Sequence, residues 1–270
     1  MATYKEIHGT VIETVTSDPS NPVNGQVWYN STDQVLKGFT SNPAGAWSTS
    51  GNLNTARKSL RGAGASNTAA IAFGGTANPP IYALTEIYNG SAWTEVADLN
   101  AGRSNLGAAG TSTAAIGFGG YNGTARVASN ETWNGSAWTE TTDMNTARSS
   151  VGAAVAGTSS NTQGAGGFST TYVAINESWN GTSWTEVGDL NSSRYSMGGS
   201  GTTTSALVFG GYSTAQQALT ESWNGSSWTE VADISTRYNL AGTGISNTSA
   251  LAFGGQPGSG PGTTKTEEWT

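Results

Sequence analysis

The chain repeats itself, and this repeat constrains its fold more than any other feature. A tryptophan recurs at intervals of 44 to 46 residues, at Trp47, Trp93, Trp138, Trp184 and Trp228. Three further features recur in the same order within the period. They are an arginine (Arg57, Arg103, Arg148, Arg194, Arg237), a Gly-Gly pair (beginning at Gly74, Gly119, Gly166, Gly210, Gly254) and a second aromatic residue (Tyr88, Trp133, Trp179, Trp223, Trp269). A period of this length is typical of stacked units that share one continuous core.

Each period contains the pattern of four short strands. In the second period these strands are predicted at 93–96, 104–110, 114–118 and 129–133. Asn134-Gly135 then leads into the next tryptophan, and Asn-Gly favours the tight turn of a β-hairpin. The second strand consists almost wholly of Gly, Ala and Ser, which suits inner strands that converge on a narrow axis. Four strands in each period predict the blade of a β-propeller.

The order of arginine, small-residue strand, apolar strand, Gly-Gly and aromatic residues resembles the kelch repeat over residues 47–270. The resemblance implies an all-β fold, a five-bladed kelch-like β-propeller of four-stranded blades. Because the sequence given ends after Trp269, we expect the strand at 46–49 to pair with the last blade and close the ring. In the third copy Gln163, Gly164 and Ala165 replace the apolar run, and there we expect a weaker or shifted third strand.

Residues 1–46 lie outside the repeat and are predicted to form an N-terminal arm and β-hairpin. Residues 17–25 are rich in turn-forming types, and 26–39 have the pattern of two short strands. This stretch resembles short segments of bacteriophage tail-fibre and other virion structural proteins. The resemblance implies that 1–46 attach the protein to other virion proteins or to copies of itself, as a homo-oligomer, with 47–270 forming the propeller.

Composition excludes several classes of function. The chain has no cysteine and a single histidine, His8, so we expect no metal site and no cofactor. The copper chemistry of galactose oxidase, a kelch-like enzyme that uses histidine and a Cys-modified tyrosine, therefore does not carry over. A net charge of −7 without a basic block argues against nucleic-acid binding. We also expect no membrane insertion and no secretion signal, which fits a virion protein assembled in the host cytoplasm.

The acidic residues also follow the repeat. Three repeat positions hold 13 of the 14 acidic residues after residue 46. They are Glu86, Glu131, Glu177, Glu221 and Glu267; Glu95, Glu140, Glu186 and Glu230; and Asp98, Asp143, Asp189 and Asp233. A catalytic carboxylate pair needs one protonated and one ionised member, and equivalent positions supply no such asymmetry. We therefore expect structural roles, no catalytic residue and no enzyme. The arginines are expected to pair with one of these acidic sets, but the sequence does not say which.

The connections after the Gly-Gly pairs differ from repeat to repeat, and loops on a rigid scaffold often carry function. Their candidate binding residues are Tyr82, Tyr121, Arg126, Tyr172, Tyr212 and Gln216. Such residues suit a host-surface glycan or protein, although loops also vary where nothing constrains them. The leading hypothesis is a bacteriophage virion structural or adhesion protein, in a tail fibre or surface appendage. The alternative is a stand-alone, lectin-like propeller that binds carbohydrate or protein outside any virion.

Overall fold

The computed structural model describes residues 12–20, 26–38, 49–153, 157–258 and 260–270. These residues form 22 strands and no helix, so the protein is all-β as predicted. Within the same ranges there is accordingly no helix that could cross a membrane. The chain separates into two compact units, with the division between Thr49 and Ser50.

The first unit contains one small three-stranded sheet. Its strands are β1 (Glu13–Val15), β2 (Val27–Asn30) and β3 (Val35–Gly38). Strand β2 pairs in parallel with β1 and antiparallel with β3. The predicted hairpin is therefore present as β2–β3, although Phe39 lies outside the described residues. The Asn30 side-chain oxygen accepts the backbone N–H groups of Thr32 and Asp33 and fixes the turn.

The second unit contains five antiparallel sheets, whose strands follow chain order from inner to outer edge. The first sheet is β4 (Arg61–Ser66), β5 (Ala69–Phe73), β6 (Thr85–Tyr88) and β7 (Trp93–Glu95). The second is β8 (Gly107–Gly110), β9 (Ala115–Phe118), β10 (Asn130–Trp133) and β11 (Trp138–Thr141). The third is β12 (Gly152–Ala153), β13 (Thr162–Ala165), β14 (Asn176–Trp179) and β15 (Trp184–Val187). The fourth is β16 (Gly198–Thr202), β17 (Ser205–Phe209), β18 (Thr220–Trp223) and β19 (Trp228–Val231). The fifth is β20 (Ala241–Ser246), β21 (Ser249–Phe253) and β22 (Thr266–Trp269).

The third strand of the third copy is not shifted. Among the described residues its pairing is weaker on one side, as expected, because β13 pairs with β12 over only two residue pairs. Strand β13 pairs without a register shift with both β12 and β14. Backbone groups supply this pairing, so it does not require the apolar side chains found in the other copies. Ala165 also shares a buried cluster with Leu190 and Met197, which gives the strand core contacts despite its small side chain.

Large aromatic side chains join neighbouring sheets. Trp138, from the outer strand of the second sheet, packs edge-on against Phe73 of the first with ring centroids 4.7 Å apart. Its indole N–H donates to the Thr85 hydroxyl at 3.0 Å. Trp184 and Phe118 repeat the packing between the third and second sheets at 4.8 Å. The hydrophobic core is therefore divided into clusters between successive sheets.

The Gly-Gly pairs link each sheet to the next. Gly119 has a φ of +60°, and a Cβ there would lie 2.5 Å from the Arg148 carbonyl oxygen of the next repeat. The N–H of Gly120 donates to that same oxygen at 2.9 Å. Corresponding bonds run from Gly75 to Arg103, Gly167 to Arg194 and Gly211 to Arg237. The first four pairs thus need glycine both for φ and for the close approach.

The last Gly-Gly pair differs from the other four. A Cβ at Gly254 would meet nothing within 4 Å. The described part of the fifth sheet also has three strands where the others have four. Of its predicted fourth strand, 46–48 lie outside the described residues, so closure by that strand stays a prediction. The architecture is a set of blade-like antiparallel sheets compatible with a β-propeller.

Candidate functional site

The five repeat arginines form ion pairs inside the sheets. Each arginine side chain is fully buried and pairs with the glutamate of its own repeat. In the second repeat, Nη2 of Arg103 lies 2.6 Å from Oε1 of Glu131. Burial lowers the pKa of Arg103, an effect that the Glu131 carboxylate opposes. The partners are Arg57–Glu86, Arg103–Glu131, Arg148–Glu177, Arg194–Glu221 and Arg237–Glu267.

The repeated aspartates also have structural roles. Their Oδ1 atoms accept backbone N–H groups where the third strand of each sheet begins. The pairs are Asp98 with Thr85, Asp143 with Asn130, Asp189 with Asn176 and Asp233 with Thr220. The remaining glutamate set, typified by Glu140, is exposed. No cluster of potential metal ligands occurs within the described ranges.

Polar residues from all five repeats, each two positions before an inner strand, surround one cavity of about 370 Å³, which we call the mouth. They are Ser59, Asn105, Ser150, Ser196 and Asn239, all with φ between +53° and +55°. Backbone N–H groups link them in succession, for example from Asn105 to the Ser59 carbonyl at 2.8 Å. A second cavity of about 260 Å³ shares Arg61 with the mouth and is lined mainly by small and apolar residues of the inner strands. The inner strands thus converge as their Gly and Ala content predicts.

A series of aromatic side chains in edge-on or tilted contact, which we call the aromatic arc, lies beside the mouth. It consists of Tyr121, Phe168, Tyr195, Tyr212 and Tyr238. Ring centroids are 5.3 Å apart from Phe168 to Tyr195, 5.7 Å from Tyr195 to Tyr212 and 5.4 Å from Tyr212 to Tyr238. Arg126 joins Tyr121 to this series, because its guanidinium lies 4.5 Å from the Phe168 ring centre and 5.5 Å from that of Tyr121.

Two repeat positions place these rings together. Tyr121, Phe168 and Tyr212 follow Gly-Gly pairs, whereas Tyr195 and Tyr238 follow the buried arginines. The two positions face each other across backbone bridges, as Tyr195 does with Tyr212. The repeat scaffold therefore fixes the backbone, and only the identity of the side chain varies from sheet to sheet.

The structure brings some of the predicted binding residues together. Tyr121 and Arg126 line a cavity of about 290 Å³ with Asn105, Ser150, Phe168 and Tyr195. Tyr212 is in the arc, Gln216 lies opposite Tyr212, and Tyr172 lies opposite Phe168. Tyr82 belongs to the first repeat and is not part of the arc; its backbone N–H donates to the Gly75 carbonyl. The binding role of these residues stays a prediction.

Sequence reasoning missed three members of the arc. Tyr195 and Tyr238 follow buried arginines, so a search confined to the Gly-Gly connections passes over them. Phe168 is at a searched position but has no polar group. The Arg-Tyr dipeptides at 194–195 and 237–238 were the available signal, because the other repeats carry Lys or Ser after the arginine.

The arc offers flat apolar surfaces beside polar groups. Aromatic rings with nearby hydroxyl, amide and guanidinium groups can stack on a sugar and bond its hydroxyls. Burial raises the pKa of Tyr195, with smaller contributions from Tyr212 and Tyr238. The hydroxyl of a tyrosine can both donate and accept a hydrogen bond.

No protein-family model matches the chain, and no curated protein is significantly similar to it in sequence. The function of this surface is therefore inferred from the geometry of its residues and from the sequence pattern.

Proposed function

We propose that the protein is a binding component of a bacteriophage virion, in a tail fibre or surface appendage, and that the aromatic arc contacts a glycan on the host surface. The observation that carries this proposal is that aromatic rings occupy two repeat positions in some repeats and not in others, so the repeat fold itself does not require them. Structural bonds already engage the repeated arginines, the glutamates that pair with them and the repeated aspartates. The virion context is supported by the resemblance of residues 17–40 to tail-fibre segments.

A glycan fits the arc better than a protein partner does. The rings are partly buried and lie beside a small polar mouth rather than on a large exposed apolar patch. Sugars present apolar C–H faces and many hydroxyls, so the tyrosine rings of the arc and the Ser or Asn groups of the mouth suit both. Stable protein interfaces bury about 800 Å² on each partner, which calls for a broader apolar centre.

Binding to purified host-surface polysaccharide tests the proposal. Tyr195→Ala and Tyr212→Ala are expected to weaken binding about 10-fold or more each, because aromatic anchors dominate such contacts. Thr124→Ala, an exposed change in the loop of Tyr121 and Arg126, is the matched control and should bind like the unaltered protein. Unchanged binding by both tyrosine variants would remove the arc from the proposal.

Attachment through residues 1–46 is a separate part of the proposal. Light scattering on the full chain and on a shortened chain that begins at residue 47 measures it. We expect a defined oligomer for the full chain and a folded monomer for the shortened one. Two monomers would favour the stand-alone, lectin-like alternative.

We further propose, from the sequence period, that the five sheets belong to a kelch-like propeller closed by the strand at 46–49. An open cavity between the fourth and fifth sheets supports the proposal that a further strand, which carries a tryptophan, packs there. This cavity of about 320 Å³ is lined by Phe209, Thr220 and Trp269, among others. Phe209 and Thr220 correspond in the repeat to Phe73 and Thr85, which hold the ring and N–H of Trp138. The buried Thr220 hydroxyl has no partner among the described residues, so an indole would satisfy it.

A further inference from the structure

One charged residue at the mouth breaks the repeat. Arg61 begins the inner strand of the first sheet, at the position held in the other four repeats by Gly107, Gly152, Gly198 and Ala241. Its side chain lines both the mouth and the cavity beneath it. Nε donates to the Leu106 carbonyl at 2.7 Å. In the described part of the chain no carboxylate forms an ion pair with this guanidinium, unlike those of the five repeat arginines.

Arg61 and Arg126 line adjoining cavities, although the chain as a whole is acidic. The cavity lined by Arg126 shares Asn105 and Ser150 with the mouth. Neither cavity has an aspartate or glutamate among its lining residues. Because the chain carries a net charge of −7, cavities lined by a cation and by no carboxylate differ from its overall charge. This difference favours an anionic ligand.

We propose that the mouth binds the carboxylate of an acidic sugar, with Arg61 as its principal partner and the aromatic arc contacting the sugar rings. This inference rests on the proposed glycan-binding function and specifies the class of glycan, a uronic-acid-type saccharide. A planar guanidinium matches a planar carboxylate through two parallel hydrogen bonds. The serine and asparagine groups of the mouth can bond the neighbouring hydroxyls. Arg61 is half-buried and has no ion-pair partner among the described residues, so a carboxylate can reach its guanidinium without displacing another carboxylate.

Calorimetric titration of the full chain with a tetragalacturonate tests the inference. The fully methyl-esterified tetrasaccharide is the matched ligand, because it keeps the sugar and removes the charge. We expect the acid to bind about 10- to 100-fold more tightly than the ester, in the range for hydrogen bonds to charged groups. Raising the salt concentration should weaken binding of the acid and leave the ester nearly unaffected.

Arg61→Gly installs the residue found at this position in the second, third and fourth repeats, and Arg61→Gln keeps a polar side chain of intermediate length. Both variants should lose the preference for the acid and retain the affinity for the ester. Lys265→Ala, which removes a cation that lines none of these cavities, should keep the preference. Thermal denaturation of each variant establishes that it is folded, and Arg61→Gln provides the test if Arg61→Gly is not.

The outcomes separate this inference from the function on which it rests. Equal affinity for acid and ester, or an acid preference that survives both Arg61 variants, overturns the inference while arc-dependent polysaccharide binding still stands. A sulfated tetrasaccharide that binds as tightly as the acid, with the same dependence on Arg61, overturns the assignment to a carboxylate. Absence of binding to every saccharide, including host polysaccharide, overturns both.

Discussion

Each repeat buries a guanidinium, and a carboxylate of the same repeat offsets the cost of removing that charge from water. Arg103 is fully buried, donates to Glu131, and also donates to the carbonyls of Gly119 and Ser129. Glu131 in turn accepts the backbone N–H and the side-chain amide of Asn100. The pair therefore ties the start of one repeat to its third strand, and its loss leaves several polar groups buried without partners.

Replacing Arg103 with methionine is expected to destabilise the protein by about 3–5 kcal/mol, because it leaves the Glu131 carboxylate buried and uncompensated. Urea denaturation followed by tryptophan fluorescence measures the change. Lys58→Met removes an exposed cation and should cost less than about 0.5 kcal/mol. Adding Glu131→Gln to Arg103→Met should recover part of the loss. A cost near that of Lys58→Met would contradict a structural role for the pair.

At the residue scale the sequence revealed repeated positions but not their partners. The period showed that the acidic residues are equivalent, and two of the three acidic sets do make structural bonds. Which acidic set faces the arginines depends on strand register and side-chain direction, which the spacing does not determine. Arg61 was visible as a departure from the Gly or Ala of the other repeats, but its significance depends on the cavity around it.

At the scale of elements, one carboxylate bonds to two strands of the small sheet in the first unit. Asp18 accepts hydrogen bonds from the Trp28 indole at 3.1 Å, the Asn30 amide at 2.9 Å and the Lys37 ammonium at 2.8 Å. These bonds, with Lys37 the strongest, lower the pKa of Asp18 from 3.8 to about 2. The carboxylate thereby connects the segment after β1 to β2 and β3.

This sheet should lose stability in acid. A lowered pKa means that the contribution of Asp18 is complete above its ordinary pKa of 3.8 and disappears as the pH falls toward 2. The NMR signal of the Trp28 indole N–H should titrate with a midpoint near 2. In Asp18→Asn this titration should vanish. A midpoint near 4 in the unaltered protein would show that the three bonds do not favour the ionised form.

The strands themselves were predictable because the same pattern recurs in each repeat and Asn-Gly turns separate successive strands. Strands predicted at 93–96, 114–118 and 129–133 correspond to β7, β9 and β10, while the predicted strand at 104–110 begins only at Gly107. The expected shift of β13 was wrong because backbone pairing with β14 fixes its register, whereas the expected weakness is seen, among the described residues, in its short pairing with β12. Short strands between two partners tolerate unusual residues when neighbouring repeats fill the core.

At the scale of the whole molecule, the repeated contact between one sheet and the next is the property that determines closure. Four Gly-Gly pairs abut an arginine carbonyl of the following repeat, but Gly254 faces open space in the described residues. If the strand at 46–49 completes the fifth sheet and the ring closes, Gly254 should meet Arg57 as Gly119 meets Arg148. The sequence predicts the number of units and their order, whereas closure depends on residues far apart in the chain.

Alanine substitutions at Gly119 and Gly254 therefore distinguish a closed ring from an open one. Both glycines have φ near +60°, so alanine costs about 1 kcal/mol at either site from the backbone alone. Gly119→Ala adds a clash with the Arg148 carbonyl and should cost at least about 2 kcal/mol more than the backbone term. With the proposed closure, Gly254→Ala should cost as much as Gly119→Ala in urea denaturation. A cost limited to the backbone term would show that the fifth sheet has no such neighbour, and the closed propeller would be wrong.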